Sequence, residues 1–167
     1  PMSDVRVRPM EPADAPAVER VARASWHAAY DDILGEGVVE RAVDDWYDLE
    51  GLGESAANED HLFLVAVAGG ELVGFAHAGP NPESGTWYLF RIYVRPDCWG
   101  EGVGTALLDR IERELGDCGV SSYRLAVLAD NEVGVSFYET RGFDRVGTDT
   151  AELAGVEAPE YHYRKEL

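Results

Sequence analysis

The sequence predicts a mixed α/β domain of the α+β kind, one sheet flanked by helices, with its elements in the order βααβββαβαββ over residues 1–167. Three observations carry that expectation. Two apolar runs, Leu62 to Ala68 and Leu72 to Ala78, meet at Gly69-Gly70 and read as an antiparallel hairpin. From Ile92 an apolar run passes through glycines at 100, 102 and 104 into a segment with Val103, Leu107, Ile111 and Leu115 at every fourth position, which is strand, loop and amphipathic helix. The elements form neither a repeat nor a doubly wound alternation. With 167 residues and 46% hydrophobic composition, a single domain with a substantial core is expected.

Taken in order, Val5 to Arg8 alternates apolar and charged residues, as a half-buried strand does, and Pro9 ends it. Asp14 is placed to cap a helix whose positions Ala17, Val18, Val21, Ala22 and Ser25 lead on to Tyr30. A less regular helical segment runs from about Val38 to Leu49 among glycines at 35, 37 and 51, and Trp26, His27, Tyr30, Trp46 and Tyr47 concentrate in this region. After the hairpin, whose second strand ends near His77, a loop rich in Pro, Asn, Gly and Ser leads to a fourth strand, Thr86 to Val94. Pro96 blocks further pairing. A helix starting near Thr105 is followed by a fifth strand, Tyr123 to Leu128, and by a helix from Val133 to Arg141. Phe143 to Thr148 and Glu160 to Glu166 can then pair antiparallel.

Charge excludes several function classes. There are 32 acidic residues against 14 basic ones, the net charge is −18, and Lys165 is the single lysine. Nucleic acids and anionic membrane surfaces need a basic footprint, so neither is an expected partner, whereas amines are. The acids are scattered rather than gathered in a run, which fits the surface of a halophilic, salt-adapted protein. No run approaches the ~18 apolar residues of a membrane helix and no secretory pattern stands at the N-terminus, so a cytoplasmic location is expected. Cys98 and Cys118 are too few for a metal cluster or a disulfide framework; reduced thiols and no metal are expected, with one bridge left open. The choice between monomer and homodimer stays open.

The glycine loop has neither the Lys-Ser/Thr ending of a P-loop nor the G-x-G-x-x-G spacing of dinucleotide folds. It does open a helix, whose first backbone N–H groups lack intrahelical partners and carry the positive end of the helix dipole, so they can hold an anion. A second stretch, residues 125–143, reads LAVLADNEVGVSFYETRGF, with Asn131, Phe137, Tyr138, Gly142 and Phe143 at spaced positions. Together the two stretches resemble the acetyl-CoA-binding core of the GNAT family of N-acetyltransferases. Trp99 stands where that family usually has Arg or Gln, which should remove one side-chain contact and leave the backbone cradle. Gly134 stands where it usually has Ala, which should loosen an exposed helix by about 1 kcal/mol.

The resemblance implies the acyl-CoA N-acyltransferase fold, with a mixed, mostly antiparallel central sheet. It implies acetyl-CoA as cosubstrate and direct transfer to a primary amine of a small molecule or peptide. By that resemblance the backbone of Ile92, Tyr93 and Val94 holds the pantetheine arm, and Trp99, Gly100, Glu101, Gly102, Val103, Gly104 and Thr105 hold the pyrophosphate. Asn131 and Phe137 complete the cofactor side. Tyr138 matches the tyrosine that protonates the leaving thiolate, and a phenol of pKa about 10 suits a thiol of about 8.5. The acceptor wall is implied around Trp26 and Tyr30, with Tyr88 at the strand position where many relatives carry a glutamate base. With that glutamate missing, His77 is the leading candidate base, against a purely structural strand-end histidine. Glu36 is a candidate for electrostatic steering of an amine. Three rival readings stand beside this one: an acyl-CoA-binding sensor without turnover; an ATP-binding regulator, which lacks a loop lysine and an acidic metal site; and Cys98 as an acyl-accepting nucleophile, which has no histidine near it in sequence.

Overall fold

A computed structural model describes residues Asp4–Leu167. The strands are β1 (Arg6–Pro9), β2 (Leu62–Ala68), β3 (Glu71–Pro80), β4 (Trp87–Val94), β5 (Ser122–Leu128), β6 (Asp144–Leu153) and β7 (Val156–Glu166). The helices are α1 (Ala15–Leu34), α2 (Glu36–Trp46), α3 (Leu49–Ala57), α4 (Val103–Asp117) and α5 (Glu132–Glu139). All seven strands join one mixed sheet in the order β1-β2-β3-β4-β5-β7-β6, antiparallel throughout except between β4 and β5.

Strand periodicity explains why helices cover both faces. Successive side chains of a strand point to opposite sides. Phe63 and Val65 of β2 pack with Val18, Ala22 and Val43 from α1 and α2, whereas Leu64 and Ala66 pack with Leu107 and Ile111 from α4. β1 and β6 are the two edge strands; β6 is mostly exposed, and its Asp144, Arg145, Asp149 and Glu152 keep that edge from templating another chain.

The N-terminal region holds one helix more than expected. The segment from Val38 to Leu49 is not one helix but the body of α2, and a separate α3 follows. Asp48 caps α3 by accepting from the Gly51 N–H at 3.1 Å, and Leu52 anchors it in the core. Two glycines in LEGLGESAA weaken its propensity, so burial rather than local preference makes it helical. The last hairpin is also longer than expected, because Ala154 and Gly155, both at positive φ, turn the chain tightly and let the ladder run from Asp144↔Arg164 to Leu153↔Val156.

Two irregularities of β4 prepare the site. Its register with β3 shifts at Phe90, since Ala78 pairs with Leu89 but His77 pairs with Arg91. This bulge inserts one residue, so that Leu89 and Ile92, three apart, both pack on the α4 side of the sheet. On its other edge, β4 pairs with β5 only at Tyr88↔Arg124, and beyond that point the two parallel strands separate.

Candidate active site

The gap between β4 and β5 holds a cavity of about 460 Å³. Hydrogen-bonded residues alternate along an antiparallel pair. The Arg95 N–H donates to Val73 O at 2.8 Å, so Tyr93 faces β3, while the backbone groups of Ile92 and Val94 face the gap. There β5 does not reach them. The Val94 carbonyl accepts from Ser25 Oγ at 2.7 Å and from Trp99 Nε1 at 2.8 Å. The Ile92 N–H, the Ile92 carbonyl and the Val94 N–H are left facing the cavity, in the pattern that an added extended strand would satisfy.

One wall of the cavity is the loop from Cys98 to the start of α4. The first α4 hydrogen bond runs from Ala106 N to Gly102 O, which leaves the N–H groups of Val103, Gly104 and Thr105 without intrahelical partners. Gly102 caps this helix at φ 86°, a conformation that costs glycine nothing and a β-branched residue a great deal. Gly104 is favoured for a different reason: a Cβ there would lie 3.1 Å from Phe137 Cε1, so any other residue would push that ring back by a few tenths of an ångström.

Asn131 joins the two sides of the gap. Its Oδ1 accepts from the Gly134 N–H at 3.0 Å, which caps α5, and its Nδ2 donates to the Tyr30 hydroxyl at 3.1 Å, which ties α5 to α1. Gly134 is therefore not a neutral departure from Ala: a Cβ would stand 2.7 Å from Asn131 Nδ2 and 3.1 Å from Val127 Cγ2. Trp99 likewise does more than drop a contact, since its indole locks the loop to the end of β4.

Tyr138 lines the cavity and its ring is buried among Phe137, Phe143 and Tyr163. Burial raises its pKa, with a smaller contribution from nearby Tyr30, so the phenol stays protonated through the physiological range. Burial raises Tyr30 in the same direction.

Of the residues singled out in the sequence, Tyr30, Ile92, Tyr93, Val94, Cys98, Trp99, Gly100, Gly102, Val103, Gly104, Thr105, Asn131, Gly134, Phe137 and Tyr138 line the cavity together, Cys98 as a buried free thiol whose pKa burial raises. Glu36, Glu101, Trp26, Tyr88 and His77 do not, Glu36 being an exposed residue at the start of α2. Glu101 is an exposed loop residue, and Tyr88 marks the closed end of the gap at its pairing with Arg124. Trp26 is buried behind Tyr30, with their ring centroids 4.6 Å apart and its Nε1 donating to the Tyr47 hydroxyl.

His77 is enclosed. Its ring stacks on Phe63 at 4.6 Å, its Nδ1 accepts from Arg91 Nε at 3.2 Å, and its Nε2 meets His61 Nδ1 at 2.9 Å. Because an arginine can only donate, Nδ1 must carry the lone pair and Nε2 the proton given to His61. Burial first, then the charges of Arg91 and His61, push the His77 pKa down to about 3. With both nitrogens engaged, His77 has no lone pair free for an amine, and its place in this geometry is structural.

The sequence reading missed Ser25, Arg91 and Arg141 as cavity residues. Arg141 stood inside the F-Y-x-x-x-G-F pattern, so an unassigned cation within a cofactor motif was the available signal. Nothing local marked Ser25, whose bond spans from α1 to the end of β4.

The chain matches the Acetyltransferase (GNAT) family over residues 22–143. It belongs to that family. It is 31% identical over 153 residues to a spermidine N(1)-acetyltransferase of Thermoplasma acidophilum, covering 89% of this chain and 94% of that protein. Among solved structures, the PaiA N-acetyltransferase of Thermoplasma acidophilum in complex with coenzyme A superposes with a TM-score of 0.87 at 28% identity, over 98% of this chain and 99% of that one. The ribosomal-protein-S18-alanine N-acetyltransferase of Escherichia coli shares the fold at a TM-score of 0.75 and 20% identity, over 98% of this chain and 94% of that one. This GNAT protein is thus an acetyl-CoA-dependent acetyltransferase with the mixed sheet of its family. Among the described residues no helix is long and apolar enough to cross a membrane. Asp149, Glu160 and His162 bring potential ligand atoms within 4.8 Å of one another on the β6–β7 hairpin, and none of the three lines the cavity.

Proposed function

We propose that this chain transfers the acetyl group of acetyl-CoA directly to a primary amine of a small molecule or peptide, with polyamines the first acceptors to test. The observation that carries this reading is the pairing of unpartnered β4 backbone groups with the Tyr138 hydroxyl across one cavity. The three gap-facing groups of Ile92 and Val94 suit the amides of a pantetheine arm, and the open N–H groups of Val103, Gly104 and Thr105 suit a pyrophosphate. Attack by the amine nitrogen on the thioester carbon expels a thiolate, and Tyr138, kept protonated by burial, is the group to protonate it. Among the described residues no Asp, Glu or His lines the cavity, so we assign removal of the amine proton to water rather than to a side-chain base. The polyamine choice draws on the relative named for spermidine and on a net charge of −18, which attracts cations.

The test is release of free CoA thiol from acetyl-CoA with a panel of primary amines, polyamines included, at low and high salt. We expect turnover with at least one amine, and Tyr138→Phe should lower it by roughly 10²-fold or more with little change in acetyl-CoA affinity. Tight acetyl-CoA binding without amine-dependent release across the panel would instead favour a sensor. Equal turnover in the two proteins would remove Tyr138 from the mechanism.

A further inference from the structure

The cavity runs against the charge of the chain. None of the 32 acidic residues lines it, while two of the 14 basic ones, Arg91 and Arg141, do. Arg91 is committed to the protein: besides its bond to His77, it donates to the Trp46 carbonyl at 3.1 Å, and its guanidinium carbon lies 4.9 Å from the Tyr47 ring centroid. Arg141 is placed differently. Its Nε and Nη2 donate to Thr105 Oγ1 at 3.1 and 2.6 Å, its Nη1 donates to Phe137 O at 3.1 Å and to Thr140 Oγ1 at 3.2 Å, and its guanidinium carbon sits 3.8 Å over the Phe137 ring. Every partner is a neutral oxygen. Thr105 is the third residue of α4, so a full positive charge stands beside the positive end of a helix dipole, and no carboxylate among its hydrogen-bond partners offsets it.

We propose that Arg141 is the side-chain ligand of the CoA pyrophosphate, a contact that Trp99 cannot make. The indole has a single donor, and that donor is used on Val94 O. The loop offers no other cation, since Glu101 is its one charged residue between Cys98 and Thr105. Arginine has five N–H donors, and four of those of Arg141 are used, which leaves one on Nη2 without a partner, in a residue that lines the cavity. Thr105 Oγ1 accepts twice from Arg141, so its own proton is free to be donated. This N–H, the Thr105 hydroxyl and the three open backbone N–H groups belong to residues that line the same cavity, and together they suit a pyrophosphate. The fork is held over Phe137 before ligand arrives, which limits the ordering cost of binding.

This assignment rests on the acetyl-CoA reading of the cavity, and calorimetric titration of the whole protein with CoA, dephospho-CoA and pantetheine tests the two separately. If the unaltered protein binds no CoA, the cavity reading itself fails. If it does, Arg141→Gln should weaken CoA and dephospho-CoA by the same factor, on the order of 10-fold or more for loss of a charge-assisted bond. Pantetheine, which has no phosphate, should bind both proteins alike. Arg141→Lys should recover part of the loss, since it keeps the charge without the fork. Unchanged CoA affinity in the glutamine variant overturns the proposal. A loss seen with CoA but absent with dephospho-CoA moves the contact to the 3′-phosphate and also overturns it, and an equal loss for pantetheine shows a merely structural role. Melting of the ligand-free variants checks that each is folded.

Discussion

The wall made by residues 98–105 with α5 and the wall made by α1, backed by α2 and α3, enclose the same cavity by different means. The first is shaped by backbone: a left-handed Gly102, a Gly104 that admits Phe137, and helix N–H groups left open by the α-helical pattern itself. The second is shaped by side chains, with Trp26, Trp46, Tyr47, Phe75 and Tyr93 in mutual ring contact and Arg91 fastening the end of α2 to His77. A backbone site tolerates exchange of a neighbouring side chain, which is how Trp99 can replace a polar residue and still close the loop. An aromatic site depends on each ring's shape, so its specificity can drift while the fold is kept.

Breaking the backbone wall should have the largest effect. Gly102→Val forces a β-branched residue to φ 86° at the start of α4, and CoA should then no longer stabilise the protein. In the unaltered protein, CoA at 100 times its dissociation constant adds about 2.7 kcal/mol, a shift of roughly 5–10 °C in melting temperature for a chain of this size. Undiminished stabilisation of the variant would show that the loop does not hold the phosphates. Trp26→Phe is the paired change on the other wall and should leave the CoA-dependent shift in place.

A medium effect isolates the side-chain wall. Folded His77 takes up a proton only near pH 3, whereas the same residue in the unfolded chain does so near its ordinary value of about 6.5. Between those values the unfolded state binds more protons, so this contribution to stability is present above about pH 6.5 and is lost as pH falls. By pH 5 the loss amounts to about 2 kcal/mol. His27 acts in the opposite sense: burial lowers its pKa, but Asp31 and Glu40 outweigh burial and raise it. The informative quantity is thus the difference between the unaltered protein and His77→Gln. Melting of the unaltered protein should fall more steeply from pH 7 to pH 5 than that of the variant, and parallel curves would show that His77 is not held neutral.

The smallest effect should be blind to the distinction between walls. Acids line neither side of the cavity, so their repulsion belongs to the outer surface. The Debye length falls from ~10 Å at 0.1 M salt to ~3 Å at 1 M, which screens carboxylates that folding has brought together. Melting temperatures of the free and CoA-bound protein should rise together by a few degrees toward molar KCl. A flat or falling curve would tie the acidity to a local role, such as a polycationic acceptor.

Wherever a structural demand falls on residues close in sequence, it could be read from the chain alone. The β2–β3 hairpin, the glycine loop with its amphipathic helix, and the Asn131 to Phe143 segment follow from turn chemistry, 3.6-residue periodicity and fixed spacings, and with them most of the cofactor wall. Tertiary structure decided what depends on distant partners. α3 is helical because Leu52 finds a core to enter, and Gly134 is glycine because Asn131 and Val127 occupy the space of its missing side chain. His77 is neutral because Phe63, His61 and Arg91 enclose it, and Ser25 reaches Val94 across 69 residues of chain. Burial and hydrogen-bond satisfaction are properties of a side chain's neighbours in space, and for these residues the neighbours exist only once the sheet has closed.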